Sequence, residues 1–181
     1  MKENFIYIDE HDLLGNNFYW HNGIKIGIPK KELNRVGLQD ERVLVHKEIV
    51  GALKNVDKFL QSKGYRLYIT EGYRSEKLYE LVHKKMQEKL GEEETNRILN
   101  IIDMPHATGK SIDAALWYNG EKISLRDKRD GINGYFVDFY KKKNKRYQEF
   151  LISIMQDNGF RLGTKREYFH FNYNPHSPKN Y

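Results

Sequence analysis

Two apolar runs in this chain each carry one group that an apolar environment rejects. Ile112-Asp113-Ala114-Ala115-Leu116 holds a carboxylate, and Phe169-His170-Phe171 holds an imidazole. An isolated carboxylate is costly to bury, and coordination of a cation offsets that cost. Alternation along Phe169 to Tyr173 puts His170 and Asn172 on one face of a strand and the aromatic residues on the other. The histidine therefore faces whatever that side of a sheet presents.

Both runs end in larger motifs, His106-Ala-Thr-Gly109-Lys-Ser-Ile-Asp113 and Glu167-Tyr-Phe-His170. Together they supply two imidazoles and two carboxylates, the inventory of a zinc hydrolase. His106, Asp113 and His170 can be the nitrogen and oxygen ligands of a catalytic zinc whose fourth position is left for water, with Glu167 free as a base. Gly109 permits a tight course after His106, so the strand that follows can return Asp113 beside it. In a regular strand Glu167 would lie on the face opposite His170, so a shared site requires it in the entering loop or at a bulge. The chain has no cysteine, which leaves histidine and carboxylate as the available ligands. His11, His21, His46, His83 and His176 have no ligand partner at a useful spacing and read as ordinary histidines.

The spacing of Val43, Ile49, Val50, Leu53, Val56, Phe59 and Leu60 predicts a helix from Asp40 to about Ser62, capped by Asp40 and closed by Gly64. Residues 65–70 read as a strand ending at Glu71-Gly72, so Arg74 sits just past a strand end, a rigid place from which to aim a side chain into a cleft. Ser75 caps a second predicted helix to about Leu90, ended by Gly91, with another turn or two over residues 92–100. Ser111 to Trp117 is a short apolar strand, and Asn119-Gly120 is a hairpin signal leading to a strand around 122–125. A helix is predicted from about Asn144 to Asn158, with Gly159 at its exit, and a closing strand over 169–173. Residues 126–143 give no clear reading. This order predicts an α+β fold, a mostly antiparallel sheet with helices packed on one side.

At 181 residues and 39% hydrophobic content the chain supports one sizeable core, so residues 1–181 are read as a single domain. No apolar stretch reaches the length of a membrane span, and the acidic start lacks the apolar region of a signal peptide, so the expected location is cytoplasmic with no membrane partner. The net charge of +6 is partly concentrated in the run from Lys141 to Arg146. No aromatic residues are interleaved there, so a solvated loop or helix start is favoured over a nucleic-acid platform.

The spacings His, six residues, Asp, and later Glu, two residues, His resemble the metal motifs of the M15 metallopeptidases. Thr70-Glu71-Gly72-Tyr73-Arg74 resembles the arginine segment of the D-alanyl-D-alanine dipeptidases of that family, and Asn158-Gly159-Phe160 precedes Glu167 much as it does there. The resemblance spans about residues 65 to 173, with Leu14 to Phe18 as a further candidate. It implies one Zn2+ per chain on the sheet of a hedgehog/DD-peptidase-like fold, and a small peptide as partner. It also implies Arg74 as stabiliser of the oxyanion and Asp138 as receptor for the substrate ammonium, with Asp130 or Asp127 as substitutes. The implied reaction is hydrolysis of D-alanyl-D-alanine or a similar D-amino-acid dipeptide.

Three departures bear on the substrate. Met104 stands where the family usually has a serine that helps bind the substrate carboxylate, and Thr108 or Ser111 are the hydroxyls that could replace it. Tyr168-Phe169 stands where tryptophans are usual, and the interval from Arg74 to His106 is shorter. The alternatives are a D,D- or L,D-carboxypeptidase or endopeptidase acting on peptidoglycan stem peptides, and a non-catalytic zinc-binding module. Retention of both Glu167 and Arg74 argues against the module, because neither is needed merely to hold zinc.

Overall fold

The computed structural model describes residues 2–99, 101–123, 145–163 and 168–176. Its centre is a sheet in the order β2-β4-β5-β8-β7, made of Leu14–Gly15, Arg66–Glu71, Ser111–Tyr118, His170–Tyr173 and Phe160–Leu162, with β6 (Glu121–Lys122) paired to the end of β5. Every pairing in it is antiparallel except that of β2 with β4. A separate antiparallel pair joins β1 (Phe5–Tyr7) to β3 (Leu44–His46). The α+β class read from the sequence is the observed one.

One face of the sheet is closed by α3 (Val50–Gln61) and α6 (Lys145–Asp157). Val50, Leu53, Val56 and Leu60 recur at three- and four-residue spacing on α3 and bury against Leu67, Ile69, Ile112, Ala114, Leu116 and Phe171. Each fully buried aliphatic or aromatic side chain of this kind contributes about 1.5–3 kcal/mol. One polar group sits in that stripe. Asp57 is buried, and its carboxylate accepts from the backbone N–H of Leu67 at 2.7 Å, from Arg66 Nε at 3.0 Å and from Gln61 Nε2 at 2.8 Å. It ties the helix to the start of β4.

A second cluster forms where α1 (Phe18–Asn22), α2 (Lys30–Arg35), α4 (Glu76–Leu90) and α5 (Glu92–Ile98) meet, around Tyr19, Ile28, Leu33, Leu78, Tyr79, Val82 and Met86. Ser75 caps α4 through its hydroxyl, which accepts from Leu78 N at 3.2 Å, and Gly91 ends it at φ +82°. Both termini are those the sequence predicts. The Asn119-Gly120 turn has φ +49° and +80° and joins β5 to β6 through two residues, as that dipeptide requires. Helix α6 also lies where expected, and Gly159 follows it at φ +86°.

The predicted helix from Asp40 begins ten residues later. Val43 and Val45 are buried on a chain segment that includes β3, and a 3-10 turn over Lys47–Ile49 intervenes before α3. Asp40 accepts from Arg42 N and pairs with that guanidinium instead of capping a helix. Phe59, counted among the inward positions, is exposed with Lys63 Nζ over its ring. The apolar period was shared between two elements, and pairing with β1 about forty residues upstream decided the split.

Candidate metal centre

The site is assembled on the sheet face opposite α3 and α6. Asp113 lies on the central strand β5, with His170 of β8 directly across on one side. On the other side β4 carries an irregularity. Ile69 faces Ala114, yet Glu71 faces Asp113, so the register slips between them. Directly opposed residues share a face, and Leu67 and Ile69 point toward α3. A regular strand would send Glu71 there too, whereas the bulge turns it to the face of Asp113. Thr70, at the irregularity, donates from its hydroxyl to the Asp113 carbonyl at 3.2 Å.

His106 sits on a 3-10 turn, Pro105–Thr108, entered through Met104 at φ +40° and left through Gly109 at φ +68°. Its ring is fixed from behind. Nδ1 lies 2.8 Å from the Gly72 carbonyl oxygen, which can only accept, so Nδ1 is the donor there and Nε2 is the nitrogen turned toward Asp113 and His170. The backbone N–H of His106 donates to the Tyr79 hydroxyl at 2.9 Å, and its carbonyl accepts from Arg74 N at 3.1 Å. A Cβ on Gly72 would come within 2.3 Å of the Leu44 carbonyl oxygen, and one on Gly109 within 2.6 Å of the Phe5 ring. The β1–β3 pair thus presses directly on both segments that carry the ring.

Three ligand atoms converge here. His106 Nε2 is 3.1 Å from His170 Nδ1 and 3.4 Å from Asp113 Oδ1, and His170 Nδ1 is 2.8 Å from the same oxygen. Tetrahedral zinc with ligands at about 2.0–2.1 Å places them about 3.3 Å apart, so the trio fits that ion in both spacing and donor type. All three residues are at least partly buried, and no other such group occurs among the described residues. Burial alone would raise the Asp113 carboxyl, but the two imidazoles beside it hold it well below the usual carboxylate range. The backbone of Gly163 bounds the far side, where an added Cβ would lie 1.9 Å from His170 Cδ2.

Arg74 is buried near this trio, with its guanidinium 4.3 Å from the Tyr79 ring centroid and 4.9 Å from that of Tyr19. Glu71 receives it with both oxygens, from Nε at 2.7 Å and Nη2 at 2.5 Å. Burial works against the guanidinium charge, but Glu71 outweighs it and keeps the group protonated well beyond its ordinary range. Burial raises both phenols, and the charge of Arg74 opposes that rise only in part, so Tyr19 and Tyr79 stay neutral. Asp113 adds to the rise in both, which puts the tyrosines within electrostatic reach of the ligand trio.

The structure thus gathers His106, Asp113 and His170 around one point, with Arg74 in the neighbouring aromatic pocket. Ser111 is buried on the same sheet face, its hydroxyl donating to Asn172 Oδ1 at 2.6 Å. The Thr108 hydroxyl is used within its own turn, donating to the Pro105 carbonyl and accepting from Lys110 N. Met104 packs against the second apolar cluster. Glu167, Asp138, Asp130 and Asp127 lie outside the described residues. His46 ends β3, not a helix, and its Nδ1 accepts from Glu48 N; His83 meets Asn96 Oδ1 at 2.8 Å. Sequence reasoning passed over Glu71, Tyr19, Tyr79 and Gly163. Glu71 had one visible signal, a carboxylate three residues before an arginine at the end of an apolar strand.

Residues 29–179 match the family model Peptidase_M15, described as D-ala-D-ala dipeptidase. No curated protein matches the chain. Among solved structures, the LdcB LD-carboxypeptidase superposes with a TM-score of 0.53 at 18% identity over 74% of this chain and 61% of that one. This chain therefore spans less than two thirds of that relative. The vancomycin-resistance D,D-pentapeptidase VanY, in complex with Zn(II), superposes at 0.52 with 12% identity over 72% of each chain. These likenesses concern the fold. With the family model covering most of its length, the chain belongs to the M15 peptidases.

Proposed function

We propose that this peptidase hydrolyses D-alanyl-D-alanine or a closely similar D-amino-acid dipeptide. The observation that carries the reading is the convergence of His106 Nε2, His170 Nδ1 and Asp113 Oδ1 beside a buried arginine. Zn2+ held by these three residues supplies Lewis acidity toward a carbonyl and acidifies water. Glu167 takes the proton of the attacking water and returns it to the departing amine as the C–N bond breaks, a role worth about two to four orders of magnitude in rate. Arg74 donates hydrogen bonds to the oxygen on which negative charge develops, and loss of such a donor costs about 3 kcal/mol. Asp138 is the proposed receptor for the substrate ammonium. Ser111 and Thr108 are the candidate hydroxyls for its carboxylate, and each would exchange its present bond, to Asn172 and to the Pro105 carbonyl, to donate there.

Met104 favours a second reading. A thioether packed in an apolar cluster gives a substrate carboxylate no strong hydrogen bond, and an endopeptidase cut inside a peptidoglycan stem peptide needs no such contact. The test is D-alanine release from D-Ala-D-Ala by zinc-loaded protein beside a tripeptide and purified muropeptides, with Glu167→Ala as the blank. Glutamate-dependent cleavage of the dipeptide alone is the expected result. Preference for muropeptides replaces it with the carboxypeptidase or endopeptidase reading. No cleavage of any, with one zinc bound per chain, overturns both in favour of a binding module.

A further inference from the structure

We propose that Glu71 is the positioning residue of this site, holding the Arg74 guanidinium in one orientation so that its remaining N–H groups, two on Nη1 and one on Nη2, are presented to substrate in a fixed direction. The inference deepens the proposed function and rests on Arg74 acting there. The guanidinium fork is spent asymmetrically. Nε and Nη2 bind the two Glu71 oxygens, while Nη1 makes no hydrogen bond among the described residues. A clamp that consumes one edge of the fork fixes the direction of the N–H groups that remain.

The backbone reinforces this arrangement. In the segment Glu71 to Arg74, the first residue clamps the guanidinium, the Gly72 carbonyl holds the His106 ring, and the Arg74 N–H meets the His106 carbonyl. Four consecutive residues thus set both a metal ligand and the arginine, which ties their separation to covalent geometry. The bulge in β4 makes it possible, since without it Glu71 would face α3. A free arginine side chain samples many rotamers, and fixing it costs entropy. The bidentate pair and the flanking Tyr19 and Tyr79 rings remove that freedom before substrate arrives, which is how preorganised donors gain their effect. A buried ion pair is a weak source of net stability, so its main consequence here is geometric.

Glu71→Asp and Glu71→Gln test this. The aspartate keeps the charge but draws the clamp back by one methylene, and the glutamine keeps the length but weakens the pair. In zinc-loaded protein both lower kcat by about tenfold or more, with KM within about threefold and metal content at one ion per chain, the pattern of a contact made in the transition state. Unchanged kcat in either folded, metal-loaded variant overturns the proposal, as does a loss confined to melting temperature. An arm independent of activity uses Arg74→Ala. Methylguanidinium binds the vacated pocket by calorimetry, and it restores turnover in Arg74→Ala but not in Arg74→Ala/Glu71→Gln. Equal binding by both variants overturns the clamp even if wild-type protein cleaves none of the peptides, so failure of the substrate reading and failure of this inference remain separate results.

Discussion

The two faces of the central sheet are built from the same strands and obey different rules. Toward α3 and α6, Leu67, Ile69, Ile112, Ala114, Leu116 and Phe171 form a continuous apolar surface whose energy is non-directional. Toward the metal centre, Glu71, Ser111, Asp113, His170 and Asn172 each depend on a partner at a defined distance. An apolar face tolerates exchange at constant volume for less than about 1.5 kcal/mol, whereas a coordinating face fails when one donor moves. Stability is thus concentrated on one side of a strand and the candidate metal site on the other, one residue apart in sequence.

His170 and Phe171 are neighbours on β8 that sample the two faces. His170→Ala removes one of three ligands, and zinc binding and turnover are both lost while the apolar core remains; metal analysis beside far-UV circular dichroism checks this. Phe171→Ala inverts the pattern, with stability falling by about 3–5 kcal/mol while the folded fraction still takes up one zinc, read by urea unfolding and metal titration. A reversal of either outcome breaks the division between faces. Asp57→Ala sharpens it by placing a polar failure on the apolar side. The Leu67 N–H and Arg66 lose a shared acceptor, at about 2–3 kcal/mol, with no change in metal affinity. Ser75→Ala removes the α4 cap for about 1 kcal/mol, measured by thermal unfolding.

The smallest effect is a pH dependence at the surface pair of Asp40 and Arg42. The hydrogen bond from Arg42 holds the Asp40 carboxyl below its usual value. Its contribution is therefore present above the unfolded carboxylate pKa of about 3.9 and is lost as pH falls through the lower folded value. Both partners are more than a third exposed, so solvent screening limits it to about 0.5 kcal/mol. Asp40→Asn removes this component from the difference in unfolding free energy between pH 7 and strong acid.

Much of the candidate ligand set was legible because its signals are local. Asp113 inside an apolar run and His170 within an aromatic alternation each contradict their surroundings, and the strand period alone puts His170 on the face opposite Phe171. The same holds for Ser75, Gly91 and Asn119-Gly120, whose conformations are set by their own hydroxyl, missing Cβ or tolerance of positive φ. The misplaced start of α3 shows the limit. Val43 fits a helical series by spacing, and only contacts with a strand near the N-terminus make its segment extended.

The sequence by itself determined which residues are chemically out of place in their runs, and therefore Asp113 and His170 as candidate ligands beside the motif histidine His106, together with the caps and turns that bound most elements. The tertiary structure decided what those residues meet. It fixed the proton on His106 Nδ1 through the Gly72 carbonyl, set Asp113 opposite His170, and turned Glu71 to their face through a slip in register. Propensity and periodicity are carried by neighbours two to four positions away, whereas register is a property of two strands together. One inserted residue, invisible to composition or spacing, was enough to move a carboxylate from the core to the site.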